Sequence, residues 1–419
     1  MRQTKTRQRS ALGALTDSHY SHAPLHTPLV RHMFSTKVAA ASVVFLLAYV
    51  AWPFLSERSD LPEGAHVQLF SQSLLLPENA PGPEVAVSIH AWVYQLNTGS
   101  LNRRAFLSVA ERLLGTVLSP TPDLRFDIFQ ERAGLFLADN LPGHRLEIEL
   151  MCMESGESLG VYLLDQITGN NGHVNAEIMV PRDLLVACVE YSQQKRTTPS
   201  GPVPVEILGP QLSSSRLYLT LEQREPFVLV SDIDDTIKVS NVSNKELLLE
   251  NTFYRSFHAV PGMATLYNRW SREHPLMVHY VSASPWHLFS DLERFMNAAL
   301  FPGGQIHLRH FRVKDRSLLQ FLTASKQFKF TTICRLMTDR PALPFVLVGD
   351  STENDPEIYG KLARAFPDQV LHIFIRNADR DYTSSDPRFE AAFAQLPSSL
   401  WTLFDDEDIE HLQFPKALI

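Results

Sequence analysis

Cysteine is scarce in this sequence: Cys152, Cys188 and Cys334 are the only three in 419 residues. An odd count without metal-like spacing argues against a zinc centre and a disulfide framework, so all three are expected as core thiols. Basic charge is short as well. The net charge of −8 leaves no global basic footprint, which sets nucleic acid aside as a partner. Acidic residues are almost missing from residues 1–37, where Asp17 stands against Arg2, Lys5, Arg7, Arg9, Arg31 and Lys37. With weak apolar periodicity, that segment reads as a disordered basic N-terminus. Charge of either sign is missing from residues 38–55, VAAASVVFLLAYVAWPFL.

That uncharged run is near the lower length limit for a membrane-spanning helix, and Trp52 sits at its edge as an interfacial anchor would. It has no polar face, which argues against a buried globular helix. Two readings stay open: a retained single-pass anchor near the N-terminus, and a secretory signal starting from Met33. No Ala-x-Ala cleavage site follows, which favours the anchor. The basic flank predicts a cytosolic N-terminus and a lumenal or external body, although an Arg-rich, acid-poor start also fits an organelle presequence.

The rest of the composition, 44% hydrophobic and 20% charged, is that of a globular chain long enough for two domains. Residues 56–83, with Pro62, Pro77, Pro81 and Pro83, read as a linker. Residues 84–222 read as a β-rich domain, a β-sandwich by its spacing. VAVSIHAWVY alternates as a half-buried strand does, and residues 103–116 have helical spacing. Strand-like runs follow at 124–129, 133–138, 145–151, 159–164, 174–180, 203–208 and 215–221. Nothing in this region has catalytic spacing. The pair Arg103-Arg104 before the helix is a solvated helix start, with a lipid headgroup contact as the alternative.

From residue 226 the pattern changes to strand then helix, repeated, which predicts a parallel sheet with helices on both faces. Four pieces there carry chemistry. Phe227-Val-Leu-Val-Ser231 is a buried strand that runs straight into Asp232, Asp234, Asp235 and Thr236. Carboxylates at the end of a buried strand are costly unless they hold a cation or react, and ligands bind at the carboxyl ends of such strands. Val278 to Ser282 is a second strand, ending in a hydroxyl that can donate to a phosphoryl oxygen. Pro285 then opens a helix. Lys329 lies on a helix from which it can reach over the strand ends, with Lys326 as its competitor. Phe345 to Asp350 is the third strand, and Gly349-Asp350 with Asp355 forms a set of hard oxygen ligands suited to magnesium.

In this order the pieces resemble the haloacid dehalogenase superfamily of phosphotransferases. The segments SDIDDTIKVSNV (231–242), YVSASPW (280–286), FPGG (301–304) and VGDSTENDPEIYG (348–360) resemble the catalytic domain of the fungal actin-patch phosphatidate phosphatases and their bacterial relatives. The resemblance covers residues 226–377. Glu131-Arg132 before Phe136-Leu137-Ala138 resembles the same family more loosely, and residues 1–60 do not match it. Phe328 stands where the family has a histidine before the motif lysine.

The resemblance implies a Rossmann-like α/β fold of the haloacid dehalogenase type and a magnesium-dependent phosphatidate phosphatase. Asp232 would be the nucleophile and Asp234 the acid and base. Ser282 and Lys329 would stabilise the phosphoryl oxygens. Magnesium would be held by Asp232, the main chain at Asp234, and Asp350, with Asp355 supporting the metal or orienting the lysine. Asp235 and Thr236 would order the loop. A phosphatase for another phospholipid or a phosphoprotein, and a non-catalytic module binding phosphatidic acid, are the alternatives.

The intervals from Asp232 to Ser282 and from Lys329 to Asp350 are too short to hold a large cap domain. An open site suits a phosphate presented on a phospholipid membrane surface. Asn241-Val242-Ser243 is a glycosylation sequon beside this site; it is expected to carry no sugar, since a glycan would crowd the bilayer, and the charge rule is expected to be overridden by a targeting route in residues 1–37 that leaves the body in the cytosol or an organelle matrix. Residues 378–419, with the acidic run Asp405 to Asp408, read as a solvated C-terminal tail.

Overall fold

The computed structural model describes residues 61–77, 82–96, 125–195, 201–222, 225–310 and 326–415. These belong to one compact unit, Glu57–Ile419. The expected basic segment 1–37, the uncharged run 38–55 and the helix at 103–116 lie outside the described residues. Among the described residues no helix is long and apolar enough to cross a membrane.

The expected parallel sheet is present. Its strands are β10 (Phe227–Ser231), β11 (Leu276–Pro285), β12 (Gln305–Arg309), β13 (Phe345–Asp350), β14 (Val370–Arg376) and β15 (Trp401–Phe404). They lie in the order β12-β11-β10-β13-β14-β15, and each neighbouring pair is parallel. The near-continuous apolar strands follow from burial on both faces. Along β10, Leu229 enters the core on one face, while Val228 and Val230 enter the core on the other. The chain winds outward from β10 to β12, then returns to the far side of β10 at β13. The carboxyl ends of β10 and β13 therefore meet where the winding reverses, the usual place for a ligand in such a sheet.

The preceding region holds two further sheets. One joins β1 (Ala65–Leu69), β3 (Glu84–Gln95), β4 (Asp139–Asn140) and β7 (His173–Pro181). The other has the order β2-β9-β8-β5-β6, with β2 (Gln72–Leu76), β5 (Arg145–Cys152), β6 (Ser158–Ile167), β8 (Val203–Leu208) and β9 (Ser214–Leu221). Val87 and Ile89 of the first and Ile148, Val205 and Leu217 of the second share one buried cluster.

Several expectations need correction. The presumed linker carries β1 and β2, which pair with β3 and β9; Pro62 precedes β1 and Pro77 follows β2, so neither interrupts a strand. The runs at 124–129 and 133–138 are spanned by one helix, α1 (Phe126–Leu135), not by two strands. Its buried positions Phe129, Arg132 and Ala133 have helical spacing, which short apolar windows disguised as strand. A helix α2 (Arg182–Lys195) follows β7 and buries Leu185, Cys188 and Val189.

The cysteines are not all thiols. Cys152 at the end of β5 and Cys188 on α2 form a disulfide, and Cys334 is free. The bridge joins a strand to a helix packed against it, a proximity that sequence spacing does not reveal. The C-terminal segment is not a solvated tail either. It adds β15 to the sheet, and Asp405 caps the short helix that follows. Pro285 ends β11 rather than opening a helix: a short 3₁₀ turn, Trp286–Leu288, precedes the helix Phe289–Ala298.

The parallel-sheet region and the β-rich region are packed together. Phe70, Trp92, Phe129 and Phe136 share a buried cluster with Tyr280, Leu288 and Phe289. A Cβ on Gly303 would come within 2.2 Å of the Tyr218 ring, so glycine is what lets β9 approach this loop.

Candidate active site

The site sits at the carboxyl ends of β10, β11 and β13. Asp232 is the first residue after β10 and is almost wholly buried. Its amide donates to Val348 O across to β13. Thr236 Oγ1 donates to Asp232 Oδ2 at 3.0 Å, and Lys329 Nζ lies 2.7 Å from Asp232 Oδ1. That second contact is an ion pair without hydrogen-bond geometry, so Oδ1 has no hydrogen-bond partner.

Asp350 ends β13. Its Oδ1 accepts from the amides of Thr352 and Glu353 and from the Thr352 hydroxyl. Its Oδ2 is buried and has no hydrogen-bond partner. Ligand atoms of Asp232, Asp350 and Glu353 lie within 4.8 Å of one another. Burial pushes the Asp232 carboxyl well above its usual range, with Lys329 opposing and Asp355, Glu353 and Asp350 adding to the rise. Burial and neighbouring carboxylates likewise raise Asp350, and burial, partly opposed by Lys329, raises Glu353. Two buried oxygens without a hydrogen-bond partner, Asp232 Oδ1 and Asp350 Oδ2, with the Glu353 carboxylate beside them, are what a hard divalent cation would bind, and its charge would reverse those shifts.

Glu353 was not among the residues expected from the sequence. Asp355, which was expected to support a metal or orient the lysine, takes the second role. Its Oδ1 accepts from Lys329 Nζ at 2.8 Å and its Oδ2 from the Asp350 amide at 3.2 Å. Both oxygens are therefore engaged. Asp355 begins the helix Asp355–Ala365, and its carboxylate folds back over Gly349, where a Cβ would sit 2.4 Å from Asp355 Oδ2. Lys329 is buried on the helix Lys326–Asp339 and also donates to Glu353. Burial lowers its pKa, but Asp232, Asp355 and Glu353 together raise it well above the usual lysine value. Lys326, its competitor, is exposed.

Asp234 points away from this set into a second cluster. Its Oδ1 accepts from Ser240 Oγ at 2.8 Å and faces Lys238 Nζ at 2.8 Å. Its Oδ2 accepts from Ser282 Oγ at 2.8 Å and Ser284 Oγ at 3.1 Å. Burial raises the Asp234 pKa, but the Lys238 ammonium and the hydrogen bonds of Lys238, Ser240 and Ser282 outweigh it and hold the carboxyl below its usual range. Ser282, expected on a phosphoryl oxygen, here serves Asp234. Lys238, Ser240 and Ser284 were not singled out from the sequence, though all three lie within or beside the quoted motif segments.

Asp235 orders the loop. Its carboxylate accepts the amides of Ser240, Asn241 and Val242. Arg376 donates to Asp235 O and pairs with Asp406 at 2.7 Å, tying the acidic C-terminal run to the same loop. The sequon residue Asn241 has φ of 57° and accepts from Asn251 Nδ2 at 2.8 Å.

Comparison with known proteins bears on this region of the chain. Residues 227–377 match the family described as "Phosphatidate phosphatase APP1, catalytic domain". Two relatives match a similar length. Phosphatidate phosphatase APP1 of Saccharomyces cerevisiae is 34% identical over 164 residues, 38% of this chain and 27% of that protein. An uncharacterized protein of Schizosaccharomyces pombe is 31% identical over 163 residues, 38% of this chain and 26% of that protein. The matched part is thus about a quarter of each relative. A solved Bacteroides fragilis structure assigned as a beta-galactosidase covers 74% of this chain and 46% of that one at 9% identity, with a TM-score of 0.20; so slight a likeness carries no argument.

Proposed function

We propose that the chain is a magnesium-dependent phosphatidate phosphatase of the haloacid dehalogenase type, hydrolysing phosphatidic acid to diacylglycerol and phosphate at a membrane surface. The observation that carries this reading is Asp232. It is a buried carboxylate at a strand end, with one oxygen fixed by Thr236 and the other free of hydrogen bonds beside Lys329.

Asp232 attacks phosphorus, and the bond from phosphorus to the glycerol oxygen breaks, leaving a phospho-aspartyl enzyme. Asp234 gives a proton to the departing alkoxide. Water then attacks phosphorus, loses its proton to Asp234, and releases phosphate with Asp232 restored. With Lys238 and three serines around it, Asp234 rests as a carboxylate, the form needed in the second step. Acting as acid in the first step requires it to gain a proton, which a substrate bound as the phosphate monoanion brings with it. Lys329 offsets charge on the phosphoryl oxygens. Magnesium bound by Asp232, Asp350 and Glu353 would supply further charge neutralisation there.

The test is phosphate release by the full chain from phosphatidic acid vesicles, with magnesium and with EDTA. The reading expects release that needs magnesium. Binding of the vesicles without release would replace it with a phosphatidic acid binding module. Release from a phosphopeptide but not from vesicles would move the substrate to phosphoprotein.

A further inference from the structure

The matched stretch, residues 227–377, does not contain every residue that shapes its site. Lys238 is buried to 2% exposure, with Nζ 2.8 Å from Asp234 Oδ1, and it also donates to Ser240 Oγ. Its ammonium lies 4.8 Å from the centre of the Phe257 ring. The same ring carries a second buried cation: the Arg132 guanidinium, 3.8 Å from its centre. Arg132 comes from α1, outside the matched stretch. Its Nη1 donates to Thr252 O at 2.6 Å and Arg255 O at 2.9 Å, and its Nε lies 3.4 Å from Asp291 Oδ1.

The backbone joins the two ends of this chain of contacts. Val239 N donates to His258 O and Val260 N to Ile237 O, both at 2.9 Å. Lys238 pairs with Ala259 as an antiparallel bridge. The segment that Arg132 grips, residues 252–257, thus continues directly into the backbone that supports Lys238.

We propose that Lys238 is a positioning residue for the Asp234 carboxylate and that Arg132, supplied by the β-rich region, acts through Phe257 and its segment to hold Lys238 in place. The alternative is that both cations serve stability alone. A buried cation with partners can do so, but stability requires neither that Lys238 face the Asp234 carboxylate nor that both cations meet one ring. The inference makes the β-rich region a working part of the catalytic centre, and it rests on the phosphatase reading above.

The experiment is steady-state phosphate release from phosphatidic acid vesicles by the full chain, with thermal unfolding of every variant. Lys238→Met should lower kcat about 100-fold with KM within about twofold, the scale expected when a reacting group is misplaced by about an ångström. Arg132→Met should lower kcat about tenfold, and Arg132→Lys should recover part of that loss. The double variant Lys238→Met/Arg132→Met should be no slower than Lys238→Met alone, because the two act in series.

Wild-type kcat in Lys238→Met overturns the proposal, and so does a double variant whose loss is the product of the single losses. Should either Met variant fail to unfold cooperatively, Phe257→Leu decides: it keeps apolar bulk and removes the ring face. A severalfold fall in kcat supports the proposal, and an unchanged kcat overturns it. A wild-type chain that releases no phosphate overturns the functional reading and this inference with it. An active wild type with indifferent variants overturns this inference alone.

Discussion

Lys329 Nζ lies 2.7 Å from Asp232 Oδ1, so the buried cation of one helix faces the buried carboxylate at the end of β10. Phe328 in the position of the family's histidine left the choice between Lys329 and Lys326 open in the sequence. In the fold, one helical turn separates a buried lysine from an exposed one. Lys329→Ala should lower kcat by about 100-fold or more, while Lys326→Ala stays within about twofold. Removing Lys329 also leaves Asp232, Glu353 and Asp355 facing one another uncompensated, which should cost about 3–5 kcal/mol in unfolding experiments without divalent cation. The reverse ranking of the two variants would move the motif by one turn.

Asp232 and Asp234 have different neighbours and should fail differently. Asp232→Asn should form no phospho-enzyme and lose at least about 1,000-fold in rate, since the covalent route is gone. Asp234→Asn should slow both formation and breakdown of the acyl phosphate. Acid quench after rapid mixing with labelled substrate separates the two cases. Label trapped on Asp232→Asn would assign the nucleophile to another residue.

The ligand set can be decided between Glu353 and Asp355. Glu353→Gln should raise the magnesium concentration for half-maximal activity by roughly ten- to a hundredfold. Asp355→Asn should mainly lower kcat, because Asp355 spends its oxygens on Lys329 and the Asp350 amide. Magnesium should also raise the unfolding midpoint of wild type, and less so that of Glu353→Gln. A larger magnesium shift in Asp355→Asn than in Glu353→Gln would restore Asp355 to the metal.

The parallel sheet was legible because its signal is local. Phe227–Ser231 and Phe345–Asp350 are short β-branched-rich apolar runs, each running at once into acids, as strands buried on both faces are. Asp232, Asp350 and Lys329 come together as their positions implied. Residues whose roles depend on contacts distant in sequence were not legible. Glu131-Arg132 stands out in the sequence only as part of a loose family resemblance, with no role attached, yet Arg132 has Thr252, Arg255 and Asp291 as partners. Asp406 sits in a run that resembles a solvated tail, yet it pairs with Arg376 beneath the Asp235 loop. Glu353 and Asp355 are two residues apart on either side of the helix N-cap Asn354, and only the position of that helix start fixes which carboxylate joins Asp232 and Asp350.

Cys152 and Cys188 bear on where the protein matures. Their bridge closes a loop with a sequence separation of 36, and disulfides persist in oxidising compartments. That favours the lumenal or external body implied by the basic flank before residues 38–55 and runs against the expectation that a targeting route overrides the charge rule and leaves Asn241 unglycosylated. The loop length corresponds to at most about 4 kcal/mol of denatured-state entropy. Dithiothreitol should therefore lower the unfolding midpoint of the wild-type chain by several degrees and have no further effect on a Cys152→Ala/Cys188→Ala variant. Cys334→Ser should respond to dithiothreitol as wild type does, since Cys334 takes no part in the bridge. Alkylation in denaturant without reductant should label one cysteine of three in protein taken from its own cells. Labelling of all three would show that the pair stays reduced there and would remove this support for a lumenal body.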